Sequence, residues 1–219
     1  GDTIQFMRYI KHLKNIGVDV TFCAQESLHS IIKTSAIHPL PLKPKDGDKL
    51  CEHKWLPLLS LPKLLNVTPE KPIINSPYIS STTKLKNKWK ALLSQEEKPV
   101  IGIHWQGNPR QEKNMIYKRS IPLDLFNILV KRNEIKLLSL QKGEGSEQIN
   151  TCSFKEHFVD CQNTINEIWD FAENAAILAN CDLVITSDSA LAHLSGGVGQ
   201  KTWLLLKDVP DWRWGMDSE

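Results

Sequence analysis

The stretch from Ala179 to Gly199, A-N-C-D-L-V-I-T-S-D-S-A-L-A-H-L-S-G-G-V-G, constrains the fold more than any other part of this chain. Leu183-Val184-Ile185 is a short apolar run suited to a fully buried strand. Thr186-Ser187-Asp188-Ser189 follow at once, all residue types that cap helix N-termini, and a small-residue helix is predicted over Ala190 to Gly197. A buried strand that ends in a polar turn and opens a helix leaves free backbone N–H groups at a positive dipole end. That is a seat for phosphate or another anion. Ala190, Ala192, Ser195, Gly196 and Gly197 are small enough to let backbone and ligand approach closely. His193, one turn into the helix, is expected near the same mouth as Asp188 and Ser189. Ligands of open α/β sheets bind outside the carboxyl ends of the strands, so this turn is the first candidate site.

Strand-then-helix alternation extends through the C-terminal part of the chain. Strands are predicted at Pro99–Trp105, Ile135–Leu140, Phe158–Asp160, Leu183–Thr186 and Lys201–Leu206, with helices at Leu123–Arg132 and Ile165–Ala179 between them. That alternation implies a parallel sheet in a doubly wound α/β unit. Before Pro99 the pattern gives an amphipathic helix over Thr3–Asn15, with Ile4, Met7, Ile10 and Leu13 at helical spacing, ended by Gly17. A strand at Val18–Ala24, a helix at Gln25–Lys33 and a short strand at Ala36–Leu42 follow. The Pro-rich segment from Pro39 to Pro77 reads as loop with short helical pieces near Leu56–Leu65, and Thr82–Leu93 as a lysine-rich helix close to a linker. Two domains are expected, at 1–95 and 96–219. The chain opens at Gly1-Asp2, which reads as the turn after a first strand, so the first domain is expected to be truncated at its N-terminus from a longer parent.

Bulk properties narrow the function classes. The 219 residues carry 27 basic and 25 acidic side chains, which is no footprint for nucleic acid. The cluster Lys84, Lys86, Lys88 and Lys90 reads as a solvated helix face. No apolar run approaches the roughly 18 residues of a membrane helix, and no signal peptide is visible. Five cysteines, without CxxC spacing, read as reduced thiols of a cytoplasmic protein rather than a zinc site.

Six motifs recur in order along the chain: Gly1-Asp2-x-Ile4-Gln5-Phe6-x-Arg8-Tyr9, Gly102-Ile103-x-Trp105-Gln106-Gly107-Asn108-Pro109, Arg119-Ser120-Ile121-Pro122-Leu123, Ser139-Leu140-Gln141-Lys142-Gly143, Asp188-Ser189-Ala190-x-Ala192-His193-Leu194 and Val209-Pro210-Asp211-Trp212-Arg213-Trp214. Together they resemble the glycosyltransferase domain that follows tetratricopeptide repeats in many bacterial proteins. That family is related to heptosyltransferases (glycosyltransferase family 9) and, more distantly, to O-linked GlcNAc transferases. The resemblance implies a GT-B architecture of two Rossmann-like halves. The second half would hold a nucleoside-diphosphate-sugar donor, the first an acceptor (glycan, lipid or protein), and no metal or cofactor would be needed.

The residues accommodate those roles, each beside a plainer one. Gln106, Gly107 and Asn108 leave a buried strand and offer two amides and a close backbone approach, or form an ordinary Gly-Asn-Pro turn. Arg119, flanked by Lys118 and Ser120, suits a bidentate diphosphate contact or a surface cation. Gln141, Lys142 and Gly143 follow a strand directly, and Lys142 would neutralise the leaving group in place of a metal, or is a solvated lysine. The N–H groups of Ser189 and Ala190 would stabilise the same charge; Asp188 also serves as a plain cap, and His193 as a packed helix residue. The resemblance assigns the catalytic base to Asp2, whose position equally suits an N-cap. Trp212 and Trp214 offer a stacking wall or interdomain packing; Glu173 and Asn174 are candidates for ribose hydroxyls, although the family resembled more often has an acidic residue and a threonine there. The expected function is inverting, metal-independent sugar transfer, with this chain itself inactive. The alternative is a non-catalytic nucleotide-sugar-binding or scaffold module.

Overall fold

The computed structural model describes residues 1–50, 52, 54–68, 70–73, 76–113 and 118–214, the side chains of 48 and 49 excepted. These fall into two compact units. One comprises Gly1–Lys90, Trp169–Asn180 and His193–Gln200, the other Ala91–Ile168, Cys181–Ala192 and Lys201–Glu219.

The first unit begins with α1 (Asp2–Phe6) and α2 (Arg8–Asn15), where the sequence suggests one helix. The break at Met7 follows from diverted carbonyls: Arg8 Nε donates to Gln5 O at 2.7 Å, and the Tyr78 hydroxyl donates to Ile4 O at 2.9 Å. Then come α3 (His29–Thr34), α4 (Leu61–Leu64) and α5 (Thr83–Leu93). The strands expected at Val18–Ala24 and Ala36–Leu42 are not formed. They meet only in a parallel bridge, Cys23 with Leu42, through Ala24 N to Leu42 O at 3.0 Å and Leu42 N to Phe22 O at 2.8 Å. Two ladder bonds without a third strand do not propagate a sheet.

The second unit holds β1 (Val100–His104), α6 (Pro109–Glu112), α7 (Asn127–Val130), β2 (Lys136–Ser139) and α8 (Gln162–Asn166). In chain order α9 (Phe171–Leu178) follows, part of the first unit. The second unit resumes with β3 (Leu183–Ser187) and the start of α10 (Ala190–Val198), whose residues from His193 onward belong to the first unit, and ends its sheet with β4 (Thr202–Leu205). The four strands are all parallel, in the order β2-β1-β3-β4. This is the α/β sheet that the alternation implies, with three elements corrected. The expected strand at Phe158–Asp160 is a single bridge to Leu137, and the helix expected over Ile165–Ala179 is interrupted between α8 and α9. Asp170 is the cause of the interruption: its carboxylate accepts the Glu173 N–H at 2.9 Å and starts a fresh helix there. The helix expected at Leu123–Arg132 shortens to a 3₁₀ turn and α7, closed at Asn133, whose φ of 53° is left-handed.

Register places Ile101 beside Leu183 and Ile103 beside Ile185, so alternate residues of β1 and β3 share a face. Ile101, Ile103, Trp105, Leu137 and Ile185 bury that face against Leu123, Phe126, Val130, Ile149, Phe154 and Phe158. His104 and Thr186 pair on the opposite face. The chain goes from β1 to β2 on one side and returns to β3 on the other, so the carboxyl ends of β1 and β3 flank a topological switch point.

Candidate functional site

Three of the sequence-predicted loops leave the carboxyl ends of adjacent strands. Gln106–Gly107–Asn108 follows β1, Gln141–Lys142–Gly143 follows β2, and Asp188–Ser189–Ala190 follows β3. A fourth, Arg119–Ser120, is drawn to the first, because the Gly107 N–H donates to Ser120 Oγ at 3.0 Å.

Most polar groups in these loops hold one another. Gln141, 3% exposed, accepts the Gln106 N–H at 3.0 Å and returns its amide to Gln106 O at 3.2 Å and Glu144 O at 3.0 Å. The Gln106 side chain accepts from Gln148 Nε2 at 2.9 Å. Asn108 caps α6, accepting the Arg110 N–H at 3.0 Å. Arg119 gives Nε to Glu112 at 3.2 Å and Nη2 to Gln111 at 3.1 Å, while Ser120 Oγ donates to the other Glu112 oxygen at 2.7 Å. Glu112 is 3% exposed, and a Cβ at Gly107 would overlap its carboxylate and the Arg119 guanidinium, so only glycine leaves room for that ion pair. Lys118 is exposed.

Lys142 donates its ammonium to Ile165 O near the end of α8. Burial lowers its pKa from 10.5 to about 8 against the opposing pull of Glu167. Beside it Gly143, exposed, adopts a left-handed φ of 66°.

Ser189 lies at the switch point. Its Oγ accepts the Leu191 N–H at 3.2 Å, which caps α10, and stands 3.4 Å from His104 Nδ1 and 3.5 Å from Thr186 Oγ1. Burial holds the His104 imidazole neutral down to a pKa of about 4, reinforced by the positive charge of Arg119. Through His104, Arg119 and Ser189 therefore act on one environment. Two fully buried polar atoms at this edge, Trp105 Nε1 and Ser187 Oγ, find no hydrogen-bond partner.

Asp2 and His193 belong to the other unit, Asp2 exposed at the start of α1 and His193 buried within α10. Gly197, expected to admit a ligand, instead admits chain: Tyr78 N and Ile79 N both donate to Gly197 O at 2.9 Å. Glu173 is held by Lys88 and by Trp89 Nε1 at 3.0 Å, and Asn174 donates to Asp170 O at 2.8 Å. Trp212 is 75% exposed beside Arg213, which pairs with Asp211 at 2.8 Å. Sequence reasoning missed His104 and Glu112. Their signals were a lone imidazole closing the apolar run Val100–Ile103, and a carboxylate four residues beyond the Asn108 cap. Among the described residues, no group of three or more His, Cys, Asp or Glu is placed to hold a metal ion, and no helix is long and apolar enough to cross a membrane.

No protein-family model and no curated protein matches the chain. Among solved structures, one similar chain is the glycosyl transferase family 9 protein from Veillonella parvula DSM 2008. The two are 15% identical with a TM-score of 0.49, over 94% of this chain and 62% of that one. The chain thus spans less than two thirds of that protein's length.

Proposed function

We propose that this chain is a GT-B-like glycosyltransferase domain whose sheet-bearing unit binds a nucleoside-diphosphate sugar. The observation that carries the reading is the convergence of three motif loops at the carboxyl edge of β1, β2 and β3, around the switch point. Chemically, the start of α10 offers N–H groups and a positive dipole end to a diphosphate, and Lys142 offers a cation on the loop after β2, one strand beyond β1. Sugar transfer to an acceptor hydroxyl would be inverting and metal-independent, with Asp2 as the base and the diphosphate leaving toward Lys142 and Ser189–Ala190. Gln106, Gly107, Asn108, Arg119, Ser120, Gln141, Gly143, Asp188, His193 and Trp212 complete the proposed donor site, in a parent protein that also carries tetratricopeptide repeats.

A second reading has its own support. Arg119, Gln106 and Gln141 are already hydrogen-bonded within the protein, and Lys142 is tied to Ile165 O. A cleft whose polar groups hold one another suits a recognition or scaffold module that performs no transfer.

A thermal-shift screen of this chain against UDP, GDP, ADP and CMP, with their sugar conjugates and with or without EDTA, tests the donor site. A ligand that binds only the folded state raises the melting temperature by mass action. The expected result is an upward shift from one diphosphate that survives EDTA; no shift from any of them rejects the donor site in this chain.

A further inference from the structure

His104 ends β1, a strand otherwise apolar, in register with Thr186 of β3. From it a line of polar atoms crosses the switch point. His104 Nδ1 lies 3.4 Å from Ser189 Oγ, Ser189 Oγ 3.5 Å from Thr186 Oγ1, and Thr186 Oγ1 donates to Ser187 O at 2.9 Å. The Thr186 proton is therefore placed, and Thr186 has lone pairs left to accept. Ser189 Oγ already accepts the Leu191 N–H, so it can accept once more and donate once. One assignment uses every contact: His104 Nδ1–H to Ser189, Ser189 O–H to Thr186, and Thr186 O–H to Ser187 O. If Ser189 instead donated to the imidazole, its contact with Thr186 would hold no proton. Protons running one way along a chain polarise and strengthen one another. Ser189 Oγ is then saturated and fixed with the Leu191 N–H, which leaves the other backbone N–H groups of the helix start to meet a ligand.

We propose that His104 is a positioning residue: its Nδ1–H locks the Ser189 hydroxyl, and with it the first turn of α10, in the arrangement that receives an anion. The inference rests on the donor-site reading for the anion and on the contacts above for the lock. Burial and the Arg119 charge keep the ring neutral down to about 4, so near pH 7 a single ring nitrogen carries the proton and the tautomer sets the direction of the Ser189 contact.

Two measurements test it. Imidazole ¹⁵N spectra of the whole chain at pH 7 report which nitrogen carries the proton. The expected result is a proton on Nδ1, with that resonance moved by Ser189→Ala. A proton on Nε2, or a ring indifferent to Ser189→Ala, overturns the proposal, and neither result depends on any ligand. Calorimetric titration with inorganic pyrophosphate supplies the second readout. His104→Leu and Ser189→Ala are each expected to weaken binding about tenfold, the equivalent of one hydrogen bond, and the double variant no further. His104→Asn, whose amide N–H stands in for Nδ1–H, is expected to stay close to wild type. Wild-type binding by the leucine variant, or equal loss in the asparagine and leucine variants, overturns the positioning role. Absence of pyrophosphate binding by the wild type rejects the donor site and with it the role of His104 there, while the spectra still decide whether His104 holds Ser189.

Discussion

The Gln141 carboxamide grips the Gln106 backbone from both sides, accepting its N–H at 3.0 Å and donating to its carbonyl at 3.2 Å. One buried side chain thereby joins the loop after β2 to the loop after β1, across 35 residues of sequence. Gln141→Leu keeps the volume and strands those backbone groups away from water. We expect a loss of about 3 kcal/mol in chemical denaturation, since each buried group left unpaired costs about 1–3 kcal/mol. Wild-type stability in that variant would show that the two loops are not joined in solution.

Glu112 sets what Arg119 has left for a ligand. Glu112→Gln retains the shape and an acceptor for Ser120 but removes the charge that pairs with the guanidinium. The expected outcome is tighter binding of nucleoside diphosphate together with lower stability, read by titration and by melting on the same sample. Unchanged or weaker binding would place Arg119 outside the donor site.

Lys142 makes a pH-dependent prediction. Its folded pKa of about 8 lies below the ordinary 10.5, so between those values the unfolded chain holds a proton that the folded chain has released. Stability from this group therefore rises with pH across that window. Diphosphate binding should run the other way, weakening as pH climbs through about 8, because an anion prefers the charged ammonium. Lys142→Gln is expected to bind more weakly and to lose that pH dependence.

His104 acts at the acid end. Its folded pKa of about 4 lies below the ordinary 6.5, so the unfolded state takes up a proton first as pH falls and the fold loses stability between those values. His104→Asn should flatten the decline of melting temperature across that range. An identical decline in the variant would remove His104 as its source.

Asp2 separates the two functional readings. On the proposed transfer reading, Asp2→Ala abolishes sugar transfer while donor binding persists, as loss of a catalytic base requires. Turnover unaffected by the change would leave the binding-module reading standing.

Local signals carried much of the sheet-bearing unit. The apolar runs at Val100–Ile103 and Leu183–Ile185 became β1 and β3, and the polar turn with its small-residue helix became the start of α10. The same signals overreached where a strand had no neighbour, as at Val18–Ala24, and where Asp170 restarted a helix that periodicity alone would continue.

By itself, then, the sequence determined the four strands of the sheet in the second unit and that its motif loops follow strand ends, but not the extent of the helices or the fate of Phe158–Asp160. Periodicity and capping act over a few residues, so they can be read along the chain. Only the tertiary structure decided the strand order β2-β1-β3-β4 and the partner of each polar side chain. It paired Gln141 with Gln106, Glu112 with Arg119, and His104 with Ser189 85 residues away, and it gave Gly197 to the segment at Tyr78–Ile79 rather than to a ligand. A buried donor or acceptor must find a partner wherever the fold brings one, and that choice depends on distances in space that sequence spacing does not encode.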